Sequence, residues 1–132
     1  MRVLVCGSRD WTDGQVVETV LMGATVNLQT EHVIIEGGAR GADSHAADFA
    51  TRLKRHPKFG HPGAHEQYPA DWKQHGKAAG AIRNQRMLDQ GRPDVVFAFK
   101  DGYDPASGRG GTEDMVRRAK AYGIPCYIVS HA

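Results

Sequence analysis

The chain has 132 residues, enough for one domain with its own core, and its 40% apolar and 24% charged residues exclude a disordered or low-complexity protein. Seventeen Lys and Arg against fifteen Asp and Glu leave a net charge of +2, which argues against a polycation that coats nucleic acid while leaving room for a local basic patch. Glycine is the skewed residue, 16 of 132 or about 12% against an average of roughly 7%.

Five short apolar runs follow one another, at residues 3–6, 33–35, 65–68, 95–99 and 126–129. Runs this short and β-branched read as parallel strands buried on both faces, and the polar third run suits a sheet edge. Helical periodicity fills the gaps. Val16, Val17, Val20, Leu21, Ala24 and Leu28 lie on one helix face after the first run, and Ala46, Phe49, Ala50 and Leu53 on another after the second. Arg52, Lys54 and Arg55 stand at the second helix's C-terminal end, where cations suit the dipole. Residues 78–90 carry Ile82, Arg83, Met87 and Leu88, with Gly91 and Pro93 as stop signals. Thr112 opens a last helix through Met115, Val116 and Ala119, closed by Gly123 and Pro125. Alternation of this kind predicts an α/β fold: a single Rossmann-like three-layer domain over residues 1–132, with a mostly parallel sheet of about five strands in the order 3-2-1-4-5. Residues 56–64 and 101–111 read as long loops, which in compact domains are often functional.

No run reaches the roughly 18 continuous apolar residues of a membrane helix. The first run is too short for the hydrophobic region of a secretory signal. Cys6 and Cys126 stand singly, without Cys-x-x-Cys pairing, and read as buried, reduced thiols. The expectation is a cytoplasmic protein with no membrane partner.

In an open parallel sheet, ligands bind beyond the carboxyl ends of the strands, where the strand order reverses. Three glycine-bearing turns are predicted on that edge. They are Gly7-Ser8-Arg9-Asp10-Trp11, then Gly37-Gly38-Ala39-Arg40-Gly41-Ala42-Asp43, then Ser107-Gly108-Arg109-Gly110-Gly111-Thr112. Glycine lets backbone approach an anion, and free amides at a helix start point toward it. Arg9, Arg40 and Arg109 can add bidentate contacts to phosphate oxygens. Three such turns on one edge predict a phosphate-bearing ligand.

The acids near these turns carry two readings each. Glu113 and Asp114 are either ordinary first-turn acids that satisfy the helix dipole, or groups that contact a sugar hydroxyl or act in acid–base catalysis. Asp43 is either the N-cap of its helix or a ribose contact. Ser8 lacks the surroundings of a nucleophile elbow and reads as a phosphate or backbone hydrogen-bonding group. His56, His61 and His65 are too loosely spaced for a zinc site, so no metal and no cofactor are expected. Trp11 and Trp72 read as lids over the loops or as stacking faces.

Together these motifs resemble a known pattern. To the turns above it adds Ala70-Asp71-Trp72, Gly76-Lys77, the segment Ala79-Gly80-Ala81-Ile82-Arg83-Asn84-Gln85-Arg86-Met87-Leu88, and Gly111-Thr112-Glu113-Asp114-Met115. The chain resembles the YspA-like, cpYpsA-related branch of the SLOG superfamily, Rossmann-like domains named for the DNA-processing protein A and Lonely Guy families. The resemblance implies a nucleotide or nucleotide-derived ligand at the glycine turns. It brings Arg83 and Asn84 in beside Gly7, Ser8, Arg9, Gly37, Gly38, Arg40, Gly41, Asp43, Gly110, Gly111 and Thr112 as the ligand-binding set. The phosphoribohydrolases of the superfamily carry a proline and two glycines, any residue, a glycine-threonine pair, two more residues and then a catalytic glutamate. Here Gly111-Thr112 match, Arg109 replaces a glycine, and Met115 stands where the glutamate belongs.

Three functional readings follow. The first is a binding or sensing domain for a nucleotide-like small molecule, working as a homo-oligomer, with a dimer through Met87 and Leu88 as one arrangement and core packing as the other reading of those residues. The second is a hydrolase of nucleoside-monophosphate N-glycosidic bonds, with Asp114, Glu113 and Asp43 as the candidate catalytic carboxyls. The third, less favoured, is single-stranded nucleic-acid binding by Trp11, Trp72 and Tyr103 with Arg83, Arg86, Arg117 and Arg118.

Overall fold

A computed structural model of the chain describes residues 1–25 and 31–131. Five strands run β1 (Arg2–Gly7), β2 (Val33–Glu36), β3 (His65–Gln67), β4 (Val95–Phe99) and β5 (Cys126–Val129), and five helices run α1 (Gly14–Thr25), α2 (Ala42–Lys54), α3 (Trp72–His75), α4 (Ala79–Gly91) and α5 (Gly111–Ala121). Every strand pair is parallel, and the order across the sheet is β3-β2-β1-β4-β5. The predicted order and strands are those observed. Leu28, placed on the first helix face by its spacing, lies outside the described residues.

The central strands read as continuous apolar runs because both of their faces are covered. Along β1, Val3 and Val5 enter one core layer with Val17, Leu21, Phe49 and Leu53 of α1 and α2. Leu4 and Cys6 enter the other with Met87, Leu88, Met115 and Val116 of α4 and α5. The side chains alternate across the sheet as strand geometry requires. Met87 and Leu88 are 1% and 3% exposed, so they are core residues and not a dimer surface. The edge strands are the more exposed ones: no residue of β3, which is polar, or of β5, which is apolar, is fully buried.

Helix α4 starts within one residue of its predicted position, but two short turns that the periodicity does not show precede it. Before α4 stand the single turn α3 and a 3-10 turn at Gly76–Ala78, with Asp71 capping α3 by accepting from the Gln74 amide at 3.0 Å. This step carries Trp72 to the carboxyl edge of the sheet. Among the described residues, no helix is long and apolar enough to cross a membrane.

Candidate functional site

The three predicted turns lie together beyond the carboxyl ends of β1, β2 and β4. With the start of α4 they enclose a cleft of two adjoining lobes. The larger, about 530 Å³, lies between the first and third turns and includes Gly7, Ser8, Asp43, Asn84 and Gly110–Thr112 in its wall. The smaller, about 350 Å³, lies between the second turn, with Gly37, Gly38 and Arg40, and the segment carrying Pro69, Ala70 and Trp72. Arg9, Ala39, Trp72 and Arg83 line both.

Close packing of backbone shapes this edge. The Ser8 amide donates to the Phe99 carbonyl at 2.9 Å, which locks the first turn against β4. Gly41 lines neither lobe. It holds φ +79°, and a Cβ there would lie within 2.6 Å of the Arg9 carbonyl group, so glycine is what lets the second turn seat against the first. Gly37 is confined from the other side, because a Cβ there would collide with the Arg83 guanidinium and lie 3.0 Å from Asp43 Oδ2.

The arginines are positioned without being neutralised. Arg83 donates from Nη1 to the Gly37 carbonyl at 2.6 Å and from Nε to Asn84 Oδ1 at 3.0 Å, leaving Nη2 without a protein partner among the described residues. Arg9 lies 5.3 Å from the centre of the Trp72 ring, a cation–π contact that fixes both at the junction of the lobes. Arg109, predicted as a third phosphate contact, is exposed and lines neither lobe. Lys77, Lys100 and Arg117 stand in the wall instead. Six cations thus line the two lobes against two carboxylates, Asp43 and Asp114.

The three candidate carboxyls have different surroundings. Glu113 is 2% exposed and turned away from the cleft, accepting from Lys100 Nζ at 2.8 and 2.9 Å and from the Asp104 amide at 3.3 Å. Burial pushes its pKa up, but the bonds from Lys100, from its own amide and from the Asp104 amide outweigh it and hold the carboxyl below the usual range. Its work is to tether the loop after β4. Asp114 lines the larger lobe, with Oδ2 accepting from Asn84 Nδ2 at 3.0 Å and from Arg118 Nε at 2.9 Å. Asn84, 4% exposed, also donates to the Gly111 carbonyl at 3.1 Å, so it braces the start of α5 against α4.

Asp43 is not an N-cap. Gly41 holds that position without a side-chain bond, and Asp43 sits inside the first turn of α2. It reaches back to the second turn, where Oδ2 accepts from the Gly37 and Ala39 amides, each at 3.2 Å. Burial raises its pKa to about 6 with help from the Glu36 charge, against the opposing pull of the Ala39 amide, Arg83 and the Gly37 amide.

Ser8 Oγ accepts from the Asp10 amide at 3.1 Å, leaving its hydroxyl proton free on the larger lobe. Cys6 lines the same lobe, yet burial and the Asp43 charge push its thiol well up, which makes it a poor nucleophile. Trp11 lines neither lobe, so it is neither a lid nor a stacking face for a ligand. It is 4% exposed and packs edge-on against Phe99 at 5.7 Å. Trp72 is 49% exposed and is the aromatic face that the cleft presents.

Sequence reasoning missed Glu36. It is fully buried, and it accepts from the Gly38 amide at 2.6 Å and from Gln67 Nε2 at 2.8 Å while His65 Nε2 bonds it at 2.6 Å. It holds the second turn from beneath. An acid closing an apolar run immediately before two glycines was the available signal. Of the other histidines set aside as metal ligands, His61 bonds the His32 carbonyl at 2.7 Å and His56 accepts two amides at its own turn.

A family model described as the YspA, cpYpsA-related SLOG family matches residues 1–75, which include the first two turns and Asp43. The chain belongs to this family. It is also 37% identical over 124 residues to the Gene 61 protein of Mycobacterium phage D29, covering 94% of this chain and 92% of that protein. For a SLOG domain, nucleotide-related ligand binding or hydrolysis is the functional range that membership suggests.

Proposed function

We propose that this SLOG domain binds a nucleotide or nucleotide-derived ligand in the two-lobed cleft and acts as a binding or sensing module. The observation that carries the reading is the excess of cations over carboxylates on the cleft wall. Lys100 is held by Glu113, but the other five cations form no salt bridge among the described residues; like charges gathered in one concavity repel one another, and an anionic ligand relieves that repulsion. The first amides of α5 have no intrahelical acceptor and open beside Gly110 and Thr112, a ready seat for a phosphate. Arg83 Nη2 supplies a charge-assisted bond, and Trp72 offers a face for a base.

The hydrolase reading is weaker. Glu113 is spent on Lys100, Asp114 is engaged by Asn84 and Arg118, and the family's glutamate position is Met115. Nucleic-acid binding is weaker still, because Trp11 is buried and Arg118 is engaged by Asp114 and Gln85, which removes one of the three stacking faces and one of the four cations that reading needs. The two free thiols suit a reducing compartment, and we place the protein in the cytoplasm. A sensor must pass occupancy to another chain, and we assign that part to a second copy. Sedimentation with and without ligand tests it, a monomer in both states counting against the assignment.

Isothermal titration against nucleoside mono-, di- and triphosphates and cyclic dinucleotides tests the main reading. Arg83→Ala is expected to weaken the best ligand roughly ten- to a hundredfold, the worth of one charge-assisted hydrogen bond. Equal affinity in the variant would remove Arg83 from the site.

A further inference from the structure

The wall of the larger lobe is built mainly of donors: guanidinium and ammonium groups, the Ser8 hydroxyl and the amides at the start of α5. A ligand made of phosphate oxygens alone would satisfy them. Asp43 does not fit such a ligand. Its side chain is among the buried ones, 6% exposed, and Oδ2 is taken by the Gly37 and Ala39 amides. Oδ1 has no protein hydrogen-bond partner among the described residues, and Asp43 is part of the lobe's wall. The side chain is buried as a whole, but Oδ1 is not among the sealed side-chain atoms; it is an acceptor that a ligand in the lobe can reach. A phosphate oxygen placed against it would be repelled. A hydroxyl would donate to it.

The alternative acceptor at this edge, Glu36, is closed to a ligand. It is fully buried, and Gly38, His65 and Gln67 occupy its oxygens. Asp114 is less buried than Asp43 and already holds Asn84 and Arg118. Asp43 therefore offers the free acceptor oxygen on the lobe, on a side chain whose other oxygen is fixed by two amides.

We propose that Asp43 is a specificity-determining residue whose Oδ1 accepts a hydrogen bond from a sugar hydroxyl of the phosphate-bearing ligand, so that the cleft takes a ribonucleotide-type molecule with its vicinal hydroxyls intact. This deepens the binding reading above and rests on it. The charged and titratable groups around Asp43 are Arg83 from α4, Glu36 from β2 and the Cys6 thiol from β1. Arg83 favours the ionised acceptor, while burial and Glu36 oppose it. With the carboxyl titrating at about 6, the hydroxyl contact gains charge assistance as pH rises through that value.

The test is calorimetric titration of the full chain with the four ribonucleoside 5′-monophosphates and their 2′,3′-dideoxy counterparts, at pH 5 and pH 7.5. The phosphate titrates alike in both series, so the ribo-to-dideoxy affinity ratio isolates the hydroxyl contact. The ratio is expected to be roughly ten to a hundred at pH 7.5 and to shrink several-fold at pH 5. Asp43→Asn, which keeps an oxygen for the two amides, should give a ratio that no longer changes with pH. Equal affinity for both series at pH 7.5 overturns the assignment and leaves the binding reading standing. So does an Asp43→Asn variant whose ratio keeps the wild-type pH dependence. Failure of both series to bind removes the assignment together with mononucleotides as the ligand class.

Discussion

Glu113 and Asp114 are neighbours in the sequence and carry the same charge, yet only one of them faces the cleft. The buried Glu113–Lys100 pair, with side chains 2% and 26% exposed, secures the loop after β4. Glu113→Gln leaves Lys100 without its counter-charge in a mostly buried place. It is expected to cost about 2 kcal/mol, below the range for a fully buried pair because Lys100 still reaches water; chemical denaturation reads this directly. Asp43 works in the opposite sense. Its folded pKa of about 6 lies above the free value of 3.8, so the folded state binds the extra proton and stability falls as pH rises from the lower value to the higher. Asp43→Asn has no such slope. Its unfolding free energy should exceed that of the wild type by roughly 1–3 kcal/mol at pH 7.5 and match it near pH 4. Urea denaturation at the two pH values checks this, and a wild type more stable at pH 7.5 would contradict it. The sequence marks these acids as candidates because they flank glycine turns. Their roles depend on which cation or amide lies across space, a matter of tertiary distance that adjacency in the chain does not encode.

Elements carry the second kind of information. The strands and long helices were legible because apolar period and length distinguish them, as along β1, α2 and β4. The four-residue α3 is too short for any period to register, and it is the element that brings Trp72 to the cleft. The end of β5 was equally silent. There His131 bonds Asp101 Oδ2 through Nδ1 at 2.9 Å and Asp13 Oδ2 through Nε2 at 2.8 Å, and stacks on Trp11 at 4.6 Å. It clasps the segments that follow β1 and β4, both of which feed the cleft. The imidazole must be doubly protonated to donate to both acids. Bonds to Asp101 and then Asp13 raise its pKa above 6.5, and bonds to His131 lower those of Asp101 and Asp13 below 3.8. The histidine's contribution is full below its unfolded pKa and is lost as pH rises through the raised folded value. That of the acids is present above the ordinary carboxylate range and is lost as pH falls through their lowered values. The clasp is therefore complete between those limits. An NMR titration should find the His131 pKa above that of a free histidine and lower in Asp101→Asn; no difference between the two proteins would dissolve the clasp.

At the scale of the whole molecule, a net charge of +2 conceals a gathering of cations at the cleft. The parallel order β3-β2-β1-β4-β5 gathers the carboxyl ends of the strands on one edge and with them the cleft's cations. Topology was readable from the alternation of runs, and so was the edge at which a ligand belongs. Which cations reach it was not, since Arg109 falls outside and Lys77, Lys100 and Arg117 fall inside. Because the cleft is open to solvent, salt should screen the attraction, and affinity for a nucleotide is expected to fall on moving from 50 to 500 mM salt, as the Debye length shortens from about 14 to about 4 Å. An affinity unchanged by salt would speak against recognition of the phosphate by these cations. The central claim is that this cleft holds a phosphate-bearing nucleotide, and the most direct test is mass spectrometry of small molecules that co-purify with the wild type and with Arg83→Ala. The account predicts a nucleotide-like phosphate ester released from the wild type and diminished in the variant. Equal recovery from both proteins, or a co-purifying ligand without phosphate, would contradict it.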